Sequence, residues 1–281
     1  MTSRASPTIR RRRLGFELRR MREAAGVTID VVAERLECSS SKISRIETGH
    51  TGATPRDVRD MLEVYGVSGA AAENLVQVAR EARQKGWWHL YGTVLTTAYV
   101  GLEAAATEIQ AYEGQVVPGL LQIDNYAREM ILKGRPDITQ AELDRRVHVR
   151  MARQSLLTQD DPLRLWVVLD EAVIHRPVGG PGVLRKQLDH LTMVAEQPNV
   201  TLQVLPFAVG AHAGMDGSFA VLCYEDPGDP DVVFAENAAG GLFLEKDDEL
   251  RRYRFIFDHL RASALPPAET VAFLAARSKE L

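Results

Sequence analysis

Cysteine is scarce in these 281 residues: Cys38 and Cys223 are the two present, and they are far apart. That excludes a disulfide framework and every metal-ligand spacing built on cysteine pairs, and makes a reducing cytoplasm the expected compartment. Long apolar runs are missing too. None approaches the roughly 20 residues that span a bilayer, and the basic start MTSRASPTIRRRRLG leads into no apolar stretch of a secretory signal. Neither membrane insertion nor export is expected. P-loop, nucleophile-elbow, Cys-x-x-Cys and His-Glu-x-x-His patterns are all lacking. No catalytic residue, metal or cofactor is therefore assigned, and the expectation is a protein that is not an enzyme. Internal repeats and low-complexity tracts are also absent.

What is present is an ordinary globular composition, 45% hydrophobic and 26% charged, in a chain long enough for two domains. The net charge of -4 conceals a split. Residues 1–65 hold thirteen Lys and Arg against nine Asp and Glu, whereas the remainder holds 21 against 29. Within residues 1–27, eight arginines face two glutamates. A basic end on an acidic chain points to phosphate contacts delivered from one side.

Periodicity and punctuation divide the chain further. Residues 1–9 read as a disordered basic arm. Residues 10–84 read as about five short helices: Leu14, Leu18 and Met21 share a face of the first, and Gly26 ends it. Thr28 caps a helix over 29–36, one over 40–47 stops before Gly49, and Thr54-Pro55 opens a fourth. Residues 85–281 read as an α+β domain. The stretch to about Gln115 is expected to be helical or irregular, with Trp87-Trp88 as a hinge or partner patch, and residues 139–158 form a long amphipathic helix. LRLWVVLDEAVI, VTLQVLPF, SFAVLCYED and DVVFAEN carry the β-branched and aromatic residues of strands. With a helix over 182–196 and two at the end, they predict a small mixed sheet of four or five strands.

GVTIDVVAERLECSSSKISRIETG, residues 26–49, is the most informative stretch. It has the form of two short helices joined by a tight turn, the second opening on small polar and basic residues. That is how a helix N-terminus is set into a major groove of double-stranded DNA. Ala33 permits close helix approach; Val32, Leu36, Ile43 and Ile46 face inward. Ser40, Ser41, Lys42 and Arg45 are candidates for base edges, Arg45 above all for a bidentate guanine contact. Thr28, Ser39, His50 and Arg10, Arg11, Arg12 and Arg13 are candidates for phosphates.

LRRMREAAGVT, VxAERL and SxSKISRIETG together resemble the Xre/Cro helix-turn-helix family over about residues 13–68. The resemblance implies an ion pair between Arg22 and Glu47 that tethers the first helix to the recognition helix. Glu37 stands at the turn where the family usually has glycine.

VPGLLQIDNYAR, RMARQ, LDEAVIHRPVGG, PNVTLQVLPF, GAHAGMDGSF and VFAEN make residues 85–275 similar to the C-terminal domain of the actinobacterial WhiJ-like regulators. That implies a DNA-binding regulator with an uncharacterised, antitoxin-like domain and a small partner protein encoded nearby. The residues themselves offer Arg146, Arg150 and Arg153, a basic stripe at helical spacing, with Gln154, His212 and Glu236 as further ligand or partner candidates. The stripe is equally explained by a solvated face paired to Glu142. Asp170, Glu171, His175, His212 and Glu236 would make an acid/base or metal cluster if the sheet gathered them, and are otherwise satisfied structural polar groups; Cys38 would be a redox sensor if activated. The reading is a homodimeric, sequence-specific transcriptional regulator whose C-terminal domain dimerises and answers to a ligand or small partner. The alternatives are an antitoxin-like module that sequesters a partner and an enzyme tethered to DNA.

Overall fold

The computed structural model describes residues 7–83, 97–226, 229–237 and 240–281. Trp87 and Trp88 lie outside the described residues, as does the start of the basic arm. The chain divides into two compact units, one of residues 1–90, 97–105 and 226–230, the other of residues 91–96, 106–225 and 231–281.

The first unit holds α1 (Pro7–Ala24), α2 (Ile29–Arg35), α3 (Ser40–Glu47), α4 (Pro55–Val64), α5 (Ala70–Glu81) and α6 (Thr97–Glu103). Helix α1 starts at Pro7, so residues 7–9 are helical and Ile9 is buried, in place of the disorder expected there. Proline suits a first helical turn, where its missing N–H leaves no bond unmade. Leu14, Leu18, Val32, Ile43, Ile46, Val58, Met61 and Val76 build the core. Gly15 lets α1 lie against the backbone of α3: a Cβ there would stand 2.5 Å from the Ile46 carbonyl oxygen.

Helices α2, α3 and α4 begin on the side-chain caps Thr28, Ser39 and Thr54, and Thr54 forms a reciprocal capping box with Asp57. The turn after α2 closes as α-helices usually do before a glycine: the Glu37 N–H bonds to the Glu34 carbonyl and the Cys38 N–H to that of Ala33. Glu37 holds φ 49°, and among the described residues it is the sole non-glycine in the left-handed region.

The second unit is α+β, built on a six-stranded mixed sheet in the order β3-β2-β1-β4-β5-β6. The strands are β1 (Glu108–Glu113), β2 (Arg164–Asp170), β3 (Val200–Leu205), β4 (Phe219–Cys223), β5 (Val232–Asn237) and β6 (Gly240–Leu244). Strands β1, β2 and β3 run parallel; β4, β5 and β6 follow antiparallel.

Two strands correct the sequence reading. β1, EIQAYE, lies in the stretch expected to be helical or irregular, and β6, GGLFL, was not anticipated at all. Glu, Gln, Ala and Gly have weak β preference, and both segments are strands because their neighbours pair with them. Residues of both parities in β2 and β3 are buried, which covers both faces.

The helices are α7 (Asp124–Gly134), α8 (Gln140–Arg153), the short α9 (Glu171–His175), α10 (Pro181–Val194), α11 (Asp247–Ser263) and α12 (Pro267–Lys279). Leu250, Phe257 and Leu260 of α11 pack on Tyr112, Val168, Phe219, Val221 and Val233. The chain passes from β1 outward to β3, then crosses to β4 on the far side of β1, so strand order reverses at the β1 edge. Among the described residues no helix is long and apolar enough to cross a membrane.

Candidate functional site

Helix α3 is held from behind. Arg22 donates from Nε and Nη2 to the two carboxylate oxygens of Glu47, at 2.7 and 2.9 Å, and from Nη1 to the Val27 carbonyl at 3.0 Å. The Glu47 side chain is 2% exposed. Its hydrogen bond raises the Arg22 guanidinium above its ordinary range, against the opposing effect of burial. This fork fixes α3 to the end of α1.

The front of α3 carries the proposed DNA contacts, and the structure sorts them. Ser39 caps the helix, accepting from the Lys42 N–H at 3.2 Å, and its hydroxyl lies 3.1 Å from that of Ser41. Ser40 donates to Asp30 at 2.5 Å, tying α3 to α2. Lys42 reaches Asp57 at 2.8 Å, and the pair raises the lysine. Burial opposes ionisation of Asp57, but the bonds from Lys42 and Thr54 hold its carboxyl below the ordinary value. Lys42 is therefore a brace between α3 and the start of α4.

Arg45 is exposed; its Nε–H leans on the Ser41 carbonyl at 3.3 Å, and among the described residues no carboxylate pairs with it. Thr28, Ser41 and His50 are also exposed, His50 bonded to Thr48 at 3.1 Å. Arg11 donates to the Gly49 carbonyl at 2.7 Å, Arg10 lies 3.4 Å from Glu81, and Arg13 lies 2.5 Å from Asp226, within the same unit. Arg12 stands against Gly49. Asp30 and Asp57 were not foreseen; the Thr54-Pro55-x-Asp57 cap was the legible hint of the second.

In the second unit the arginine stripe faces protein. Arg146 pairs with Glu142 at 2.7 Å. Arg150 donates to Gln122 at 2.8 Å, and Gln154 donates to the Gln122 carbonyl at 2.6 Å. Arg153 is buried against Gly119. Arg150, Arg153 and Gln154 thus hold the 3-10 turn Gly119–Leu121 and the Gln122 that follows it, inside the VVPGLLQ break.

Burial pushes the Glu113 carboxyl up to about 7, opposed by its hydrogen bond with Ser218 and by Arg150 and reinforced by the charge of Glu236, which is exposed near the end of β5. Burial raises the Cys223 thiol to about 12, which leaves it unreactive.

His212 goes elsewhere, into a cavity of about 230 Å³ at the carboxyl ends of the parallel strands, lined chiefly by Tyr112, Gln115, Asp170, Met215 and Ser218. Its Nδ1 accepts from the Gly214 N–H at 3.1 Å, which places the ring proton on Nε2, 3.5 Å from Asp170. Tyr112 Oη is also 3.5 Å from Asp170, and the Tyr112 and His212 rings meet edge to face. The other Asp170 oxygen caps α9 through the Ala172 N–H at 2.9 Å. Gly214 is required: a Cβ would stand 2.6 Å from the Tyr112 ring. Ser218 accepts from the Gly114 N–H at 3.0 Å and bonds to Glu113.

Of the five residues of the acid/base cluster, the fold brings together Asp170 with His212 and, separately, Glu171 with His175 at 3.2 Å. Among the described residues no three His, Cys, Asp or Glu gather as a metal would need. Tyr112 was missed because its strand was missed.

Residues 96–276 match the model of a domain of unknown function, DUF5753. The chain belongs to that family. Residues 13–75 match the helix-turn-helix domain, so this DUF5753 protein carries a DNA-binding regulator's domain at its N-terminal end. No curated protein matches the chain, and no solved structure does.

Proposed function

We propose that this DUF5753 protein is a sequence-specific transcriptional regulator of the Xre type, active as a homodimer, whose C-terminal domain binds a small ligand and biases DNA binding. The observation that carries the DNA reading is Arg45: an exposed guanidinium one turn into a helix braced by Arg22–Glu47 and Lys42–Asp57. A rigid helix with one uncommitted fork is suited to reading a guanine edge, with the serines contributing short or water-bridged contacts. Two such helices in a two-fold dimer would meet one DNA face about 34 Å apart. Kinship with WhiJ-like regulators, and cytoplasmic residence, belong to the same reading.

The ligand reading rests on the position of the cavity. In sheets with parallel strands, ligands bind beyond the carboxyl ends where strand order reverses. The cavity sits there, between β1, β2 and the entry to β4. We read it as a binding site and not a catalytic one. The basic nitrogen of His212, Nδ1, already accepts from the Gly214 N–H, and Ser218 has partners on either side, so neither is placed to activate a nucleophile. Phe207 and Met215, 58% and 70% exposed, favour a second reading in which a small protein docks on this edge.

The test is selection of bound sites from random duplexes, followed by anisotropy titration of wild type and Arg45→Glu. The wild type should select a symmetric site, and the variant should lose it while keeping its melting temperature. Unchanged site selection by Arg45→Glu would refute the assignment.

A further inference from the structure

We infer that the cavity beside His212 takes a small organic cation, an ammonium group on an apolar body, of about seven to nine non-hydrogen atoms in all. This rests on the reading of the cavity as a ligand site and goes beyond it by naming the chemistry. The cavity volume of about 230 Å³ is below the range for drug-sized ligands, and matches about eight waters at roughly 30 Å³ each.

Its charge is set by one residue. Asp170 is the single carboxylate among the described lining residues, and no Lys or Arg joins it. Its Oδ2 has two donors nearby, Tyr112 Oη and His212 Nε2, both at 3.5 Å, at the limit of a hydrogen bond. An acceptor with one long hydrogen bond, from Tyr112, and one ring nitrogen at the same distance has capacity for a shorter bond from a charged donor.

Neither neighbour neutralises it. Burial and the Asp170 charge raise the Tyr112 hydroxyl, which keeps it an uncharged donor. The imidazole that accepts at Nδ1 from Gly214 is the neutral tautomer. The remaining wall suits a cation: the Tyr112 ring, which attracts positive charge, and the polarisable Met215 thioether.

Three probes of one shape test the proposal on the full chain: cyclohexylammonium, cyclohexanol and cyclohexanecarboxylate, titrated while the amide resonances of Gly114, Gly214 and Gly217 are followed. Cyclohexylammonium should shift them at a dissociation constant about tenfold below that of cyclohexanol, with cyclohexanecarboxylate weakest, as one charge-assisted bond implies. Asp170→Asn keeps a good cap for α9 and should abolish the preference for the cation. Tyr112→Phe keeps the ring and should retain it.

Equal binding of the cation and the alcohol by wild type, or a preference that survives Asp170→Asn, overturns the proposal whatever the variants do to stability. Binding of the carboxylate best would keep the ligand site and overturn its class. Silence from all three would sink both, while leaving the Arg45 experiment untouched.

Discussion

Arg22 and Glu47 meet through two parallel hydrogen bonds, 2.7 and 2.9 Å, across 25 residues of sequence, with the carboxylate almost wholly buried. A buried pair of this kind is worth little over an apolar replacement, but breaking it strands a charge. Glu47→Gln or Arg22→Met alone should therefore lower stability by about 3–5 kcal/mol. The double change Arg22→Met with Glu47→Leu should recover most of that. Urea unfolding of the four proteins measures it; a double variant as unstable as the singles would show that the pair itself supplies net stability.

Lys42 and Arg45 separate bracing from reading. Removing Lys42 leaves Asp57, the α4 capping partner, without its cation. Lys42→Ala should cost about 1 kcal/mol of stability. Arg45→Ala should leave the melting temperature in place and lower specific affinity by about 1–3 kcal/mol. Thermal melts beside anisotropy titrations check this, and equal effects of the two variants on stability would contradict it.

Glu37 is a side chain in a glycine's place, at φ 49°. Relief of the left-handed strain should make Glu37→Gly more stable by about 1 kcal/mol, less the added freedom of the unfolded chain. Denaturant midpoints give the answer. A destabilised variant would mean that the Glu37 side chain holds something that its backbone does not reveal.

Glu113 predicts a pH dependence. Its folded value is raised to about 7, above the ordinary 4.5, chiefly by burial. Below 4.5 the carboxyl is protonated in both states and does not affect stability. Between there and about 7 the unfolded chain ionises first, so stability falls as pH rises, and the loss is complete above 7. Glu113→Gln should flatten that decline and gain about 2 kcal/mol at pH 8, allowing for its partial exposure. Melting curves of both proteins from pH 4 to 8 are the measurement; parallel curves would refute it.

Legibility along the chain follows how local the deciding physics is. The helix-turn-helix was readable residue by residue because caps, a tight turn and inward apolar positions act within a few residues: Thr28, Ser39 and Thr54 each bond a backbone N–H three positions on. The two helices expected at the end are there as α11 and α12, the latter opening on Pro267 in its first turn. Strand β1 was not, because Glu108, Gln110 and Ala111 become strand through pairing with Arg164, Trp166 and Val167, more than fifty residues away. The arginine stripe shows the same limit. Spacing put Arg146 and Arg150 on one helix face, but Gln122 and the turn before it settled what Arg150 touches.

The sequence by itself determined that a recognition helix begins at Ser39–Ser40 and that Arg45 is its long donor, since both are matters of helical period and capping. Tertiary structure alone decided which donors stay uncommitted. Asp57 takes Lys42, Asp30 takes Ser40, and Arg45 is left exposed. It also decided that Tyr112, Asp170 and His212, from three separate segments, share one cavity. Strand order and loop closure fix such meetings, and neither is encoded in any short window of the chain.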